Sequence, residues 1–207
     1  MFQSPGHGSR SCTRRRIRRD GRSGLGMTIK VVDEVHESLI EEAWTLYYTA
    51  FHELNAYAVQ RHLMYRHEFD EVMRDTRVQK YLCLDDEGVL CGLSTYTNDL
   101  DAVPLISPPY FERRWPQLYA ERRIWYCGFV GVHPESSIRN AFSEMVEAMY
   151  LEAATQCGII ALDMCRFNDE GRRLSRVIPL MLHRLSGNVR TERMDDQSYW
   201  LYEFPAA

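Results

Sequence analysis

The chain has 207 residues, 45% of them apolar, and a net charge of -4 from 25 basic and 29 acidic side chains. That length suits one domain with a sizeable core, and the mild acidity argues against nucleic acid as the main partner. No apolar run approaches the roughly 20 residues of a membrane span, and the basic N-terminus lacks the apolar stretch of a secretory signal.

The charge is unevenly spread. Residues 1–26 hold Arg10, Arg14, Arg15, Arg16, Arg18, Arg19 and Arg22 against Asp20 alone, a net +6 that leaves -10 for the rest. This stretch is rich in Gly, Ser and Arg, cannot bury enough surface to order itself, and reads as a disordered basic tail. Met27 stands just before the first patterned segment, so residues 1–26 read as an extension from an upstream start and 27–207 as a single domain. Affinity for nucleic acid would rest on the tail alone, because the folded part adds no basic surface to it. Lys30 and Lys80 are the only lysines. Cys12, Cys83, Cys91, Cys127, Cys157 and Cys165 form no C-x-x-C pair and read as small core residues of a reducing, cytoplasmic compartment.

Thr28–Val32 reads as a strand. Glu37–Tyr57 reads as a helix, with Leu39, Ala43, Leu46, Ala50 and Leu54 near helical spacing. His67–Asp75 is a shorter helix. Val78–Leu84 and Val89–Tyr96 form a hairpin around the turn Asp85–Gly88. Residues 98–122, with Pro104, Pro108, Pro109 and Pro116, read as a long irregular connection. Its aromatics Tyr110, Phe111, Trp115 and Tyr119 suit an ordered lid over a site. Arg123–Val132 is a strongly apolar strand. A helix capped by Ser136 or Ser137 follows it and runs to about Gln156, with Gly158 as its C-cap. Ile159–Cys165 reads as a strand and Glu170–Ser186 as a helix stopped by Gly187, with Pro179 a point of kinking. Val189–Phe204 reads as two strands around Asp195–Gln197. The central strand–helix–strand unit requires a parallel pair and the hairpins are antiparallel. The fold class is therefore α/β (α+β), with a mixed, mostly antiparallel central sheet flanked by helices.

The stretch from Trp125 to Phe142 carries the chemistry. A buried strand passes through Val132-His133-Pro134-Glu135 into a helix N-terminus, whose free amides and positive dipole end form an anion site near Ser137–Ala141, with Arg139 adding charge. Element order and this corner together resemble the GCN5-related N-acetyltransferase family over residues 28–204. In that family a Gln/Arg-x-x-Gly-x-Gly/Ala loop cradles the pyrophosphate of coenzyme A. Here the loop reads Ser137-Ile138-Arg139-Asn140-Ala141-Phe142 and keeps the arginine but not the glycines.

The resemblance implies an acyl-CoA N-acyltransferase-like fold and transfer of an acyl group from acetyl-CoA or another acyl-CoA to an amine of a small molecule or peptide. It implies a bulged strand at Phe129, Val130, Gly131 and Val132, eased by Gly128 and Gly131, that exposes backbone groups to the thioester. Asn168 falls where the family often places an asparagine at the cofactor. His183, four residues before Gly187, stands where the family often has a tyrosine that protonates the leaving thiolate. Tyr126, Asp163 and Glu135 are the candidate bases. Cys127 and Cys165 are candidate acyl carriers without a visible partner histidine. His52, His62 and His67 lie ten and five residues apart, a spacing that fits no metal motif, and no metal is expected. The long aromatic connection suits a larger or more apolar acyl chain, and the lost glycines suit a long-chain or carrier-protein donor. The resemblance also allows a homodimer paired through the C-terminal strands. A non-catalytic module that binds a small ligand or partner protein is the alternative. Phe142 or Ile138 filling the phosphate space would favour it.

Overall fold

The computed structural model describes residues 26–134, 136 and 140–204. The basic tail, apart from Gly26, lies outside the described residues, as do Glu135, Ser137, Ile138 and Arg139.

Five strands form one sheet in the order of the sequence: β1 (Met27–Val32), β2 (Gln79–Asp85), β3 (Leu90–Thr97), β4 (Ile124–Val132) and β5 (Ile159–Leu162). The first four run antiparallel to their neighbours and β4–β5 is parallel. A short turn returns β2 into β3 as a hairpin, the helical segment between Val32 and Gln79 leads β1 into β2, and the parallel pair needs the intervening helix as its crossover. The mixed sheet expected from the sequence is thus present.

Side chains alternate across the pleat and feed two layers. Leu82, Leu84, Leu90 and Leu93 face helices α1 (Glu37–Phe51) and α2 (Arg66–Arg74), where Ile40, Ala43, Leu46, Tyr47, Phe69 and Met73 complete a core. Tyr81, Tyr96, Trp125 and Cys127 face α5 (Ala141–Thr155), which contributes Val146, Met149 and Ala153, with Met181 and Leu182 of α6 (Leu174–Ser186) packed against them. Cys83, Cys91 and Cys127 are buried thiols, as their apolar settings suggest.

Three expectations are corrected. Residues 98–122 are not irregular. They form a 3-10 turn at Leu100–Ala102 and two short helices, α3 (Pro108–Arg114) and α4 (Pro116–Ala120). Their prolines sit in the first turn, where the missing N–H costs nothing, and Phe111, Trp115 and Leu118 pack onto Ile124, Tyr126 and Ala161. The positive φ after α5 falls on Cys157, not Gly158. Gly158 is required for space, because a Cβ there would stand 2.5 Å from the Arg123 carbonyl oxygen. Finally, 187–204 forms no strand: the alternation of Tyr199, Leu201 and Glu203 is genuine, but no described strand pairs with it and its large side chains are exposed. No described helix is long and apolar enough to cross a membrane.

Candidate active site

β4 changes character in its middle. Ile124, Trp125, Tyr126 and Cys127 are buried and pair with Ile159, Ile160, Ala161 and Leu162 of β5. On the other side, Tyr96 pairs with Cys127 and Thr95 with Phe129, so Gly128 is an extra residue facing no partner. This is a β-bulge, and it bends the strand and raises its local twist. Glycine is needed there because a Cβ would lie 2.6 Å from Thr95 Oγ1. The Ser94 hydroxyl donates to the Phe129 carbonyl at 2.7 Å and holds the displaced backbone. Beyond the bulge β4 keeps β3 but has no register with β5, which ends at Leu162. The two parallel strands therefore part from Gly128 onward, where Gly128 is exposed and Phe129 and Val130 half-buried. The bulge lies at Gly128, just before the stretch Phe129, Val130, Gly131 and Val132 on which it was expected; that stretch stays in register with β3 and lacks a partner in β5.

Tyr126 and Asp163 meet at the base of this opening. The Tyr126 hydroxyl donates to Asp163 Oδ1 at 2.7 Å. Burial, then the charge and hydrogen bond of Asp163, push the Tyr126 phenol well above its ordinary range, so it stays protonated and is no base at neutral pH. Asp163 is exposed, one residue past β5, and the burial suggested by its apolar neighbours is absent. Burial pushes the Cys127 thiol up to about 12, which removes it as a nucleophile.

Two loops meet through a ring stack. After α1, a 3-10 turn at His52–Ala56 leads into residues 57–65, and the Tyr57 ring stacks on Phe167 at 4.4 Å between centroids. Phe167 opens a π-turn, Phe167–Gly171, on the path from β5 to α6. His62, in the first loop, is half-buried and lies within electrostatic reach of the Asp163 carboxylate. Asn168 Oδ1 is buried with no hydrogen-bond partner among the described residues.

The anion site is described only on its helix side. Asn140 is the N-cap of α5 and makes no side-chain capping bond. The first-turn amides of a helix have no intrahelical acceptor. Ala141 is fully buried and Phe142, half-buried, packs against the core cluster that contains Tyr81, Trp125 and Val146. Ser137, Ile138, Arg139 and Glu135 lie outside the described residues. His183 is exposed in the last turn of α6, and no described contact joins it to Tyr126 or Asp163. Among the described residues no group of three or more His, Cys, Asp or Glu is placed to hold a metal ion.

Sequence reasoning singled out Tyr126 and Asp163 one by one; their pairing follows from the parallel register of β4 and β5.

No family model and no curated protein matches the chain. Among solved structures, a probable acetyltransferase superposes with a TM-score of 0.51 at 11% identity, covering 85% of this chain and 99% of that one. A ribosomal-protein-alanine N-acetyltransferase from Brucella melitensis biovar Abortus 2308 gives 0.48 at 14% identity over 86% and 99%. An aminoglycoside 6'-N-acetyltransferase from Acinetobacter baumannii gives 0.44 at 15% over 85% and 99%. With the bulged β4, its parting from a parallel β5 and the helix that begins at that end of the sheet, the fold is that of the GCN5-related N-acetyltransferases.

Proposed function

We propose that the protein is a cytoplasmic N-acyltransferase that moves an acyl group from an acyl-CoA to an amine of a small molecule or peptide. The observation that carries this reading is the parting of β4 from β5 at Gly128, with the Tyr126–Asp163 pair at its base. The opening presents the backbone of Phe129, Val130, Gly131 and Val132 to a thioester and its pantetheine arm. Preorganised N–H groups there would stabilise the oxyanion as the carbonyl is attacked.

The donor's phosphates would lie against the first-turn amides of Ala141 and Phe142, with Asn140, Ser137, Ile138 and Arg139 completing the loop. Phe142 packs against the core, which supports a donor-binding site over a non-catalytic module. The orphaned Asn168 oxygen is suited to accept from an amide N–H of the bound arm. In transfer, a C–N bond forms to the acceptor, the C–S bond breaks, and the thiolate leaves and takes up a proton. Asp163 supplies negative charge beside the acceptor's ammonium, and Tyr126, held neutral, fixes the orientation of that carboxylate. His183 and Glu135 remain the other acid–base candidates.

A thermal-shift series of the full chain against coenzyme A, acetyl-CoA and long-chain acyl-CoAs tests the reading. A ligand that binds only the folded state adds about 2.7 kcal/mol at a hundred times its Kd, so Tm rises. The order of the shifts ranks the acyl chains. No shift with any of these would overturn the acyl-CoA reading.

A further inference from the structure

We propose that Cys83 and Cys91 form a modification site: hydrogen peroxide joins them in a disulfide, and the closed pair weakens binding of the acyl-CoA donor. The effect on the donor rests on the N-acyltransferase reading; the disulfide itself does not.

A second β-bulge sets the two sulfurs face to face. Cys83 pairs with Gly92 and Leu84 with Leu90, so Cys91 is an extra residue of β3 without a partner in β2. A bulge re-aims the side chain it carries. Here the sulfurs of Cys83 and Cys91 stand 3.2 Å apart, and the Cys91 thiol also lies 3.1 Å from the Cys83 carbonyl oxygen. Gly92 makes the room: a Cβ there would stand 3.1 Å from the Cys83 Cβ and 2.8 Å from the Met145 Cε. Both thiols are buried, but they lie beside the exposed turn Asp85–Gly88. Such a hairpin end opens locally at little cost, and peroxide is a small oxidant.

The same sulfurs lie under the donor end of the sheet. They share a buried cluster with Ala141 and Met145 from the start of α5. The Cys91 carbonyl accepts from the His133 N–H at 2.9 Å, and His133 opens the corner between β4 and the loop proposed for the donor's phosphates. A disulfide holds its sulfurs about 2.05 Å apart, so closure draws the pair together by roughly 1 Å. A close-packed interior transmits such a movement. It reaches the corner through the Cys91 carbonyl and the first turn of α5 through Ala141 and Met145.

Cys91 is the sulfur that attacks. A hydrogen bond from the Cys83 thiol holds its pKa below the ordinary range against the cost of burial, with Ser136 adding a bond. The same sharing, with burial, holds Cys83 above it. The Cys91 thiolate attacks peroxide: an S–O bond forms, the O–O bond breaks, and the departing hydroxide takes the Cys91 proton as water. The Cys83 sulfur then attacks the sulfenic sulfur. The S–S bond forms, the S–O bond breaks, and the Cys83 proton leaves in a second water. Two thiols lose two electrons and one peroxide gains them.

The tryptic peptide 81–113 holds both cysteines and no other, so its mass reads the bond directly. The full chain is treated with excess hydrogen peroxide, desalted, unfolded in N-ethylmaleimide and digested. The peptide should carry no maleimide, and should take two after dithiothreitol. Acetyl-CoA, which has no thiol of its own, reports the coupling. Its affinity, read from Tm over a concentration series, should fall about tenfold on oxidation and return after reduction and desalting. By reciprocity, bound acetyl-CoA should resist closure by the same factor, about 30 mV in the reduction potential of the pair. Cys83→Ala and, independently, Cys91→Ala should keep the affinity of the reduced chain and lose the response to peroxide. A peptide that keeps both labels, a disulfide that leaves the affinity unchanged, or a peroxide effect that survives in these variants would each overturn the proposal. No Tm rise with acetyl-CoA in the reduced chain would instead overturn the acyl-CoA reading, and the coupling with it, whatever the peptide shows.

Discussion

The two halves of β4 share one strand and one sheet and do different things. From Ile124 to Cys127 the strand is buried and paired with β5 throughout, and Tyr126 and Cys127 are paired with β3 as well. From Gly128 to Val132 it keeps one partner and comes toward solvent. A single inserted glycine separates the two regimes. The first half supplies stability through packed aromatics, with Trp125 stacked on Tyr96 at 4.7 Å. The second half gives up a row of backbone bonds and gains backbone groups that a ligand can use. Core and site here are consecutive stretches, of four and five residues, of the same nine-residue strand, set apart by register.

This contrast is open to attack at both ends. The largest loss of stability is expected from Trp125→Ala. It empties a side chain only 2% exposed and should cost about 3–5 kcal/mol, read as a fall in denaturant midpoint. Coenzyme A should still bind whatever fraction remains folded.

A second test concerns the closed interior around Lys80. This side chain is fully buried and its ammonium donates to the Asp33 and Asp75 carbonyls at 2.8 and 2.6 Å. Burial lowers its pKa to about 8. Between pH 8 and about 10.5 the unfolded chain then binds the proton more tightly than the folded one, so stability rises with pH across that window and is flat below it. Relative to Lys80→Met, the wild type should gain about 3 kcal/mol over this range in chemical denaturation. A flat difference would show that the charge is solvated.

In the site half, Gly128→Val should drive a side chain into Thr95 and cost about 1–3 kcal/mol by overpacking. Unlike Trp125→Ala, it should also abolish the coenzyme A shift in the folded protein. Thr95→Ala in the same chain should restore part of both. If Gly128→Val leaves ligand binding untouched, the bulge does not shape the site. The smallest effect is expected from Ser94→Ala, which removes the hydroxyl bonded to the Phe129 carbonyl, at about 1 kcal/mol.

The sequence carried the paired half of β4 well, because an unbroken apolar run from Ile124 to Cys127, rich in aromatic residues and followed by Gly128, suits a buried strand. It also carried Gly128 as a place of distortion. Pro108, Pro109 and Pro116 were harder to read: prolines mark loops and first helical turns equally, and only packing of Phe111 and Trp115 on the sheet decides between them. The C-terminal alternation of Tyr199 and Leu201 has the period of a strand, yet period supplies no partner, and pairing is a non-local property. The meeting of Tyr126 and Asp163 is non-local in the same way: 37 residues separate them, and the parallel register of β4 and β5 brings them together.

The enclosure of Lys80 also bears on self-modification. With Lys80 bonded inside the sheet, Lys30 is the one lysine ammonium left exposed, and the remaining positive side chains are arginines. A guanidinium keeps its proton at any working pH and is a poor nucleophile toward activated acyl groups. A protein that held thioesters in its own cleft would thus offer them little to react with. An amine-directed reagent applied to the native fold should accordingly mark Lys30 first among the side chains, and reach Lys80 only as the sheet opens.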